Sequence, residues 1–598
     1  MNSIEARYTT ASTALPHCIC AVWSKTCPRT SSFNPVPITL CGKFRLPRKI
    51  RQRPSMGKEL AELRSGSTRE LDPSTGTGTS IRVLSRSLFA IAFLMLSLPL
   101  LAIISPVNHD ETQYISAAYF VDLGLIPYRD FLHLQTPYQI YLFAPLFSMF
   151  EEDAFLAARL LSGAIGSAIL MAVYLTLRQF RVDRTRAIVC CALLWLCHSF
   201  VFGVTVVRND ALPALLLTGA IFVIAKRPAC DQETGGRFLT WAIAGVLLGI
   251  ATGMKISYAA SALAFAGFPL WAFLQKALSF RKALAQSALL GLGLVVALLP
   301  LLWFREVAQV AFDYGNFTYH AEAPLAWYAA NGLEDRLTLF AKARDVLLTL
   351  VRGPAFVALL IYVWLRFRSL REGWLQIRLL LLIDLLLLAG LAATIAPTPT
   401  WRQYAIPLLP PLFVGLGIVW QQAHEHSIAV PRLAKAAMLL AAIVGIGQPV
   451  FQLWKGTVAG AATPVRIARE GKFLAAEAAA AGVSGTAASL SPQVILASGL
   501  ALDATFATGP FAYRTGDTIP DEARAAMHIT SPGSIIAYLD RTRPEVIVTG
   551  YENFDHVDEQ GLELPIEAYA SAHGYTRIDS PYGDAVFWFR STKAEQAL

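Results

Sequence analysis

The sequence predicts a polytopic α-helical membrane protein: about eleven transmembrane helices, juxtamembrane helices in the first external loop, and a C-terminal soluble α/β domain. Three observations predict it. Of 598 residues, 55% are hydrophobic and only 16% charged, with a mean hydropathy of +0.47, whereas soluble chains carry about a quarter charged residues. The apolar residues gather in long uncharged runs, each near the ~20 residues that cross a bilayer core as a helix. Lys and Arg recur in alternate loops, which is the bias that orients a membrane chain.

Taken in order, residues 1–85 are polar and rich in Ser, Thr, Arg and Pro, and read as a disordered basic cytoplasmic tail. The first apolar run begins near residue 87, so no signal peptide fits, and Met56 is a candidate start. Spans are expected at 87–104, 155–177, 187–206, 211–225, 238–254, 256–274, 284–303, 346–365, 379–396, 405–421 and 434–453. Basic residues fall in alternate loops: Arg178, Arg181, Arg184 and Arg186; Lys226, Arg227 and Arg237; Lys276, Arg281 and Lys282; Arg366, Arg368, Arg371 and Arg378; Arg432 and Lys435. The opposite loops, including 105–154 and 397–404, are poorer in base. This places the N-terminus in the cytoplasm and, after an odd number of spans, the C-terminus outside. The net charge of +9 is thereby an orientation signal with affinity for membrane lipids, and nucleic acid is excluded as a partner.

Residues 454–598 change in kind. Short apolar runs at 546–549 and 586–589, a helical stretch at 466–481 and the turn Ser531-Pro532-Gly533 predict an extracytoplasmic α/β domain. No cysteine lies beyond Cys230, so this domain is not stapled by disulfides. Cys18, Cys20, Cys27 and Cys41 do not have the spacing of a zinc ribbon.

The loop after the first span carries the most information. It opens Asn108-His109-Asp110-Glu111-Thr112-Gln113-Tyr114. Tyr114, Ala117, Ala118 and Val121 fall at helical spacing and predict an amphipathic helix on the membrane surface over 114–123. Gly124, Pro127-Tyr128-Arg129-Asp130-Phe131 and Thr136-Pro137-Tyr138 follow, then an apolar helix over 139–150 that is too short to span. Ala157-Ala158-Arg159-Leu160 leads into the second span.

This ordered set resembles the GT-C superfamily of membrane glycosyltransferases, and within it the aminoarabinose transferases and protein O-mannosyltransferases. Asp110-Glu111, Tyr114, Ala117, Gly124, Tyr128-Arg129-Asp130, Pro137 and Arg159-Leu160 match the family's order. The resemblance covers roughly residues 87–421 and makes 86–453 a GT-C-like catalytic domain. It implies transfer of a sugar, with inversion, from a polyprenyl-phosphate donor to an envelope lipid or glycan, lipid A or core saccharide first among them. It implies Asp110 as the base. Glu111 would then hold Asp110, the acceptor or a metal ion. Many relatives carry Lys-Pro-Pro before the second juxtamembrane helix, where this chain has Gln135-Thr136-Pro137. The basic contact to the lipid phosphate then falls to His133, Lys255 or Arg402.

The chemistry explains the residue types. The acceptor loses a proton as it attacks, and a carboxylate within hydrogen-bond reach takes it. The leaving phosphate needs a cation. Lys255 and Arg402 sit at tight outer turns, where a charge is costly, and Arg suits bidentate phosphate recognition. The resemblance makes Asp210 a candidate to position the acceptor, with Arg208 expected to pair with Asp210 or with phosphate. Tyr114, Tyr128, Tyr138 and His320 are candidates to bind sugar or acceptor, and His320 with Glu322 is a weak candidate for a divalent metal ion. Each has a plainer reading. Asp110 can be a solvated loop carboxylate, Glu111 a charge at a helix N-terminus, and Asp210 a helix cap. Lys255 can be a snorkelling amine, and Arg402 a boundary anchor. Asp384, deep in a span, is expected to bond a neighbouring helix. The rival function is a secondary transporter or lipid-sugar flippase, whose charges belong near the midplane. A structural envelope protein is a third reading.

Overall fold

The computed structural model describes residues 74–225, 236–373, 379–552 and 561–590. The four cysteines of the N-terminal tail, and Cys230, lie outside them.

The chain is mostly helical, with a small sheet near the C-terminus. Five helical segments are long and apolar enough to cross a membrane: Tyr138–Gln179, Ile256–Leu274, Phe280–Val307, Arg402–Glu425 and Arg432–Thr457. Two bent pairs make this up to seven, and four shorter apolar helices lie at Phe89–Ile104, Ala211–Ala225, Leu239–Met254 and Leu379–Ile395. Every span expected from the sequence falls on one of these helices or pairs.

Four local expectations need correction. The first helix runs from Ser74 to Ile104, so it takes in the end of the stretch read as a disordered tail. The stretch 346–365 is not one rod: Leu339–Val351 and Ala355–Glu372 meet at 90° across Arg352-Gly353-Pro354. Proline there cannot continue the helical hydrogen bonding, and Gly353 has φ +126°, open only to glycine. The stretch 187–206 breaks as well, into Arg184–Trp195 and His198–Thr205 at 72°. The helix Glu111–Asp122 is buried from Glu111 through Ala118 and again at Phe120, so it is a core element and not a surface float. Its periodicity is weak because it is enclosed on more than one side.

Helix packing uses small residues, as membrane interfaces do when there is no hydrophobic force between helices. Gly236–Met254 lies against Phe280–Val307 so closely that a Cβ on Gly245 would strike the Leu290 carbonyl, and one on Gly293 the Ala242 carbonyl. Inside the bundle Asp384 accepts hydrogen bonds from Tyr362 Oη at 2.6 Å and Arg366 Nε at 3.0 Å, the interhelical role expected for it.

The sheet has strand order β2-β1-β3-β5-β4, with β1 Thr486–Ala488, β2 Ala501–Leu502, β3 Val546–Thr549, β4 Tyr575–Asp579 and β5 Val586–Arg590. β2, β1 and β3 run parallel, while β5 is antiparallel to both β3 and β4. β3 is buried at all four positions. A continuous apolar run is what a central strand covered on both faces requires.

Candidate active site

Three loop segments meet at one end of the helices. The first, Ser105–Asp110, leaves the helix Ser74–Ile104. The second, Val206–Asp210, joins His198–Thr205 to Ala211–Ala225. The third is the turn at Lys255.

One buried ion pair fixes the first two. Arg159 Nε donates to Glu111 Oε1 at 2.6 Å, and Nη2 reaches Glu111 Oε2. The remaining Arg159 hydrogens go to the carbonyls of Ala102, Pro106 and Thr205 at 2.8–3.0 Å. Glu111 also accepts the amides of Val207 at 2.7 Å and Asn108 at 2.8 Å. A guanidinium with its donors spread over helix-end carbonyls satisfies groups that have no helical partner.

A chain of alternating charge runs across the three segments. His109 Nε2 lies 3.1 Å from Asp110 Oδ1, and Asp110 Oδ2 pairs with Arg208. Arg208 Nε donates to Asp210 Oδ2 at 3.1 Å, and Lys255 pairs with Asp210 Oδ1. Asn209 sits inside the same turn. Its Nδ2 donates to Gln135 Oε1 at 3.0 Å and to the Met254 carbonyl at 3.2 Å, and its Oδ1 accepts from Tyr114 Oη at 3.0 Å.

Exposure separates the carboxylates. The Asp110 side chain is 20% exposed, while those of Asp210 and Glu111 are each 2% exposed. Asp110 is thus the most open of the three. Asp210 is paired with Arg208 and Lys255, and Glu111 with Arg159 and the amides of Asn108 and Val207. Arg208 pairs with two aspartates, where one or a phosphate was expected.

Several other expected side chains make contacts within the protein. Tyr128 is fully buried among Phe304, Phe312 and His133, with φ +71°, and its hydroxyl donates to the Gln135 carbonyl. Tyr138 donates to the Ala297 carbonyl at 2.6 Å, and its ring fills the space a Cβ on Gly253 would need, so it props the Lys255 turn. Tyr114 holds Asn209. His133 is buried, and burial with His320 nearby pushes its imidazole down to about 3. His320 Nε2 donates to the Leu134 carbonyl at 2.7 Å. Glu322 instead lines a cleft of about 410 Å³ with Asp313 and Tyr314. Two residues apart on a helix, these side chains diverge. Among the described residues no three His, Cys, Asp or Glu side chains converge.

Arg402 lies apart from the charge chain. Its guanidinium stacks 3.6 Å from the Phe202 ring centroid, and Nη1 donates to His198 Nε2 at 3.2 Å. The C-terminal region reaches the site too. The Phe511 ring packs 5.2 Å from that of His109, and His528 Nε2 lies 2.9 Å from the Arg129 carbonyl. Sequence reasoning gave no role to Arg159, Asn209, Gln135 or Phe511. Arg159 did carry a signal, an arginine at the head of an apolar helix.

No family model and no curated protein matches this chain. Solved structures do. ArnT from Cupriavidus metallidurans bound to undecaprenyl phosphate superposes with a TM-score of 0.54 at 12% identity, covering 86% of this chain and 99% of that one. The Archaeoglobus fulgidus oligosaccharyltransferase tethered with an acceptor peptide gives 0.47 at 12% identity, over 86% and 74%. The S. cerevisiae protein O-mannosyltransferase Pmt1-Pmt2 complex gives 0.31 at 17% identity, over 42% and 35%. These neighbours are GT-C glycosyltransferases, and the likeness to ArnT shows that this chain has the GT-C membrane fold.

Proposed function

We propose that the chain is a glycosyltransferase that moves a sugar from a polyprenyl-phosphate donor to a hydroxyl of an envelope lipid or glycan. The observation that carries this reading is Asp110: a partly open carboxylate at the head of a buried charge chain, in a fold shared with ArnT. In the proposed step the acceptor oxygen attacks the anomeric carbon as Asp110 takes its proton. The bond from that carbon to the phosphate oxygen breaks with inversion, and the lipid phosphate leaves with the electron pair. Arg208, Lys255 and Arg402 are the cations offered to it. Asp210 holds Arg208 and Lys255 in place.

The expected placement is the bacterial inner membrane, with the N-terminus cytoplasmic and Asp110 on the outer face. Residues 86–453 then form the catalytic domain and 454–598 the extracytoplasmic one. Lipid A or core saccharide is the first acceptor to examine. The test is mass spectrometry of envelope lipids and glycans from cells carrying the wild-type gene, no gene, or the Asp110→Asn variant. The expected result is one sugar lost alike in the last two. An unchanged profile in both would overturn the assignment.

The rival flippase reading draws on the two broken spans. It requires a carrier cycle that has no use for a base, so lipid-sugar translocation that persists in Asp110→Asn vesicles would favour it.

A further inference from the structure

The sheet of the C-terminal region turns one end toward the charge chain. β1 and β3 are parallel neighbours, with Ala488 opposite Ile547. β2 lies on the other flank of β1, so the connections that follow β1 lead to opposite sides of it. In open α/β sheets such a reversal leaves a crevice beyond the carboxyl ends of the strands. Here residues 489–491 follow β1 and residues 550–552 follow β3. Ser491 Oγ donates to Glu552 Oε1 at 2.8 Å and joins the two turns. Glu563 Oε2 accepts the amides of Gly550 and Glu552, which fixes the second turn.

The loop that carries Asp110 sits against this end of the sheet. A Cβ on Gly509 would lie 2.7 Å from Thr112 Oγ1 and 2.8 Å from the Leu490 carbonyl, so only a glycine lets the segments meet there. The Phe511 ring lies 5.2 Å from the His109 ring and 5.1 Å from the Arg514 guanidinium. Glu552 is half-buried beside both. Burial raises its carboxyl, and His109 is the strongest of the groups that lower it, ahead of the Ser491 hydrogen bond and Arg514. His109 thus faces two carboxylates, Asp110 at 3.1 Å and Glu552 from the C-terminal region. The other charged groups around this row are Arg208 on Asp110, and Arg514 and Glu563 beside Glu552.

We propose that Glu552 is a positioning residue of the transfer site and acts on Asp110 through His109. This role presupposes the transfer step proposed for Asp110. A carboxylate beside His109 favours the imidazolium over the neutral ring. The imidazolium pairs with Asp110 Oδ1 while Arg208 pairs with Oδ2, so Asp110 is held ionised and in one orientation. A base has to be ionised when the acceptor arrives, and its orientation decides whether a remaining lone pair meets the acceptor's proton. The His109 side chain is 44% exposed and exchanges protons with solvent, so the clamp titrates. Without the Glu552 charge the imidazolium loses its proton more readily, and the clamp opens at lower pH.

Two pH profiles test this. One is sugar transfer in membranes, read as formation of the product missing from the Asp110→Asn strain. The other is carbethoxylation of His109 by diethyl pyrocarbonate in the purified full chain, read by peptide mass spectrometry; the reagent attacks only the neutral ring. In Glu552→Gln, the alkaline fall in transfer and the onset of carbethoxylation should both move down by about 1 pH unit, the effect of one opposite charge at close range. Ser491→Ala loosens Glu552 without removing its charge, so it should move both in the same direction by less, and it carries the test where Glu552→Gln does not fold. Glu552→Asp should restore most of the wild-type profile. His109→Lys should retain transfer without the alkaline fall, while His109→Gln should lose most transfer at every pH. Either profile staying in place in Glu552→Gln would overturn the role, and intact transfer in that variant would leave the transferase reading standing. Wild-type membranes that form no such product would remove the transferase reading, and Glu552's part in it, whatever the Glu552 variants do.

Discussion

At the scale of single residues, burial assigns the roles. Asp110, Glu111 and Asp210 look equivalent as letters, but only Asp110 has an open side. Asp110→Asn should therefore cut transfer on the order of 10²–10⁴-fold with the thermal midpoint unchanged, as measured by product formation and by melting in detergent. Arg159 is the opposite case. Arg159→Met leaves Glu111 charged, buried and unmatched, and should cost about 3–5 kcal/mol in an unfolding titration. Adding Glu111→Leu should recover part of that loss, because no buried charge then remains. The sequence offered candidate residues but not which way they face. Tyr114, Tyr128 and Tyr138 were legible as a set near the site, yet each hydroxyl is spent on the protein itself. Lys255 and Asp210, 45 residues apart, could not be paired from spacing alone.

At the scale of elements, apolar run length located the helices because length alone decides whether a run reaches across a bilayer. It could not locate the bends, since a broken span keeps the same hydropathy as a straight one. The Arg352-Gly353-Pro354 triplet was the available signal, a glycine before a proline within an apolar run. Gly353→Ala tests the bend. It forces an alanine to φ +126° and drives its Cβ toward the Leu196 carbonyl, at an expected cost of about 1–3 kcal/mol in detergent melts. Gly373→Ala, also at positive φ but with open space around it, should cost less in the same assay. The helix Glu111–Asp122 was misread for a related reason: amphipathic periodicity assumes one wet face, and this helix has almost none.

At the scale of the whole molecule, the charge bias of the loops sets the expected direction of insertion. Tyr582→Cys, at an exposed position of the C-terminal region, should react with a membrane-impermeant maleimide added to intact spheroplasts. Protection there and reaction only after lysis would reverse the assigned orientation. The same region has its own pH signature. Burial raises the Glu563 carboxyl to about 8, while its Oε2 accepts the amides of Gly550 and Glu552. The folded state thus holds a proton that the unfolded chain releases near its ordinary value. Glu563 costs nothing below about pH 4.5, and stability falls as pH rises toward about 8. Glu563→Gln should flatten that slope in melts across this range, and an unaltered slope would place the titration elsewhere.

The order in which the site's parts occur along the chain bears on how the protein is made. Asn108, Asp110, Arg159, Arg208, Asp210 and Lys255 all lie within the first 255 residues, and every link between them is internal to that stretch. A ribosome feeding the chain into a membrane delivers the complete charge chain before Arg402 or Phe511 has been synthesised. Until Arg159 arrives, Glu111 is an unmatched carboxylate at the bilayer boundary, and until Lys255 arrives Asp210 has only Arg208. Each newly inserted segment thus neutralises a charge left by the one before it.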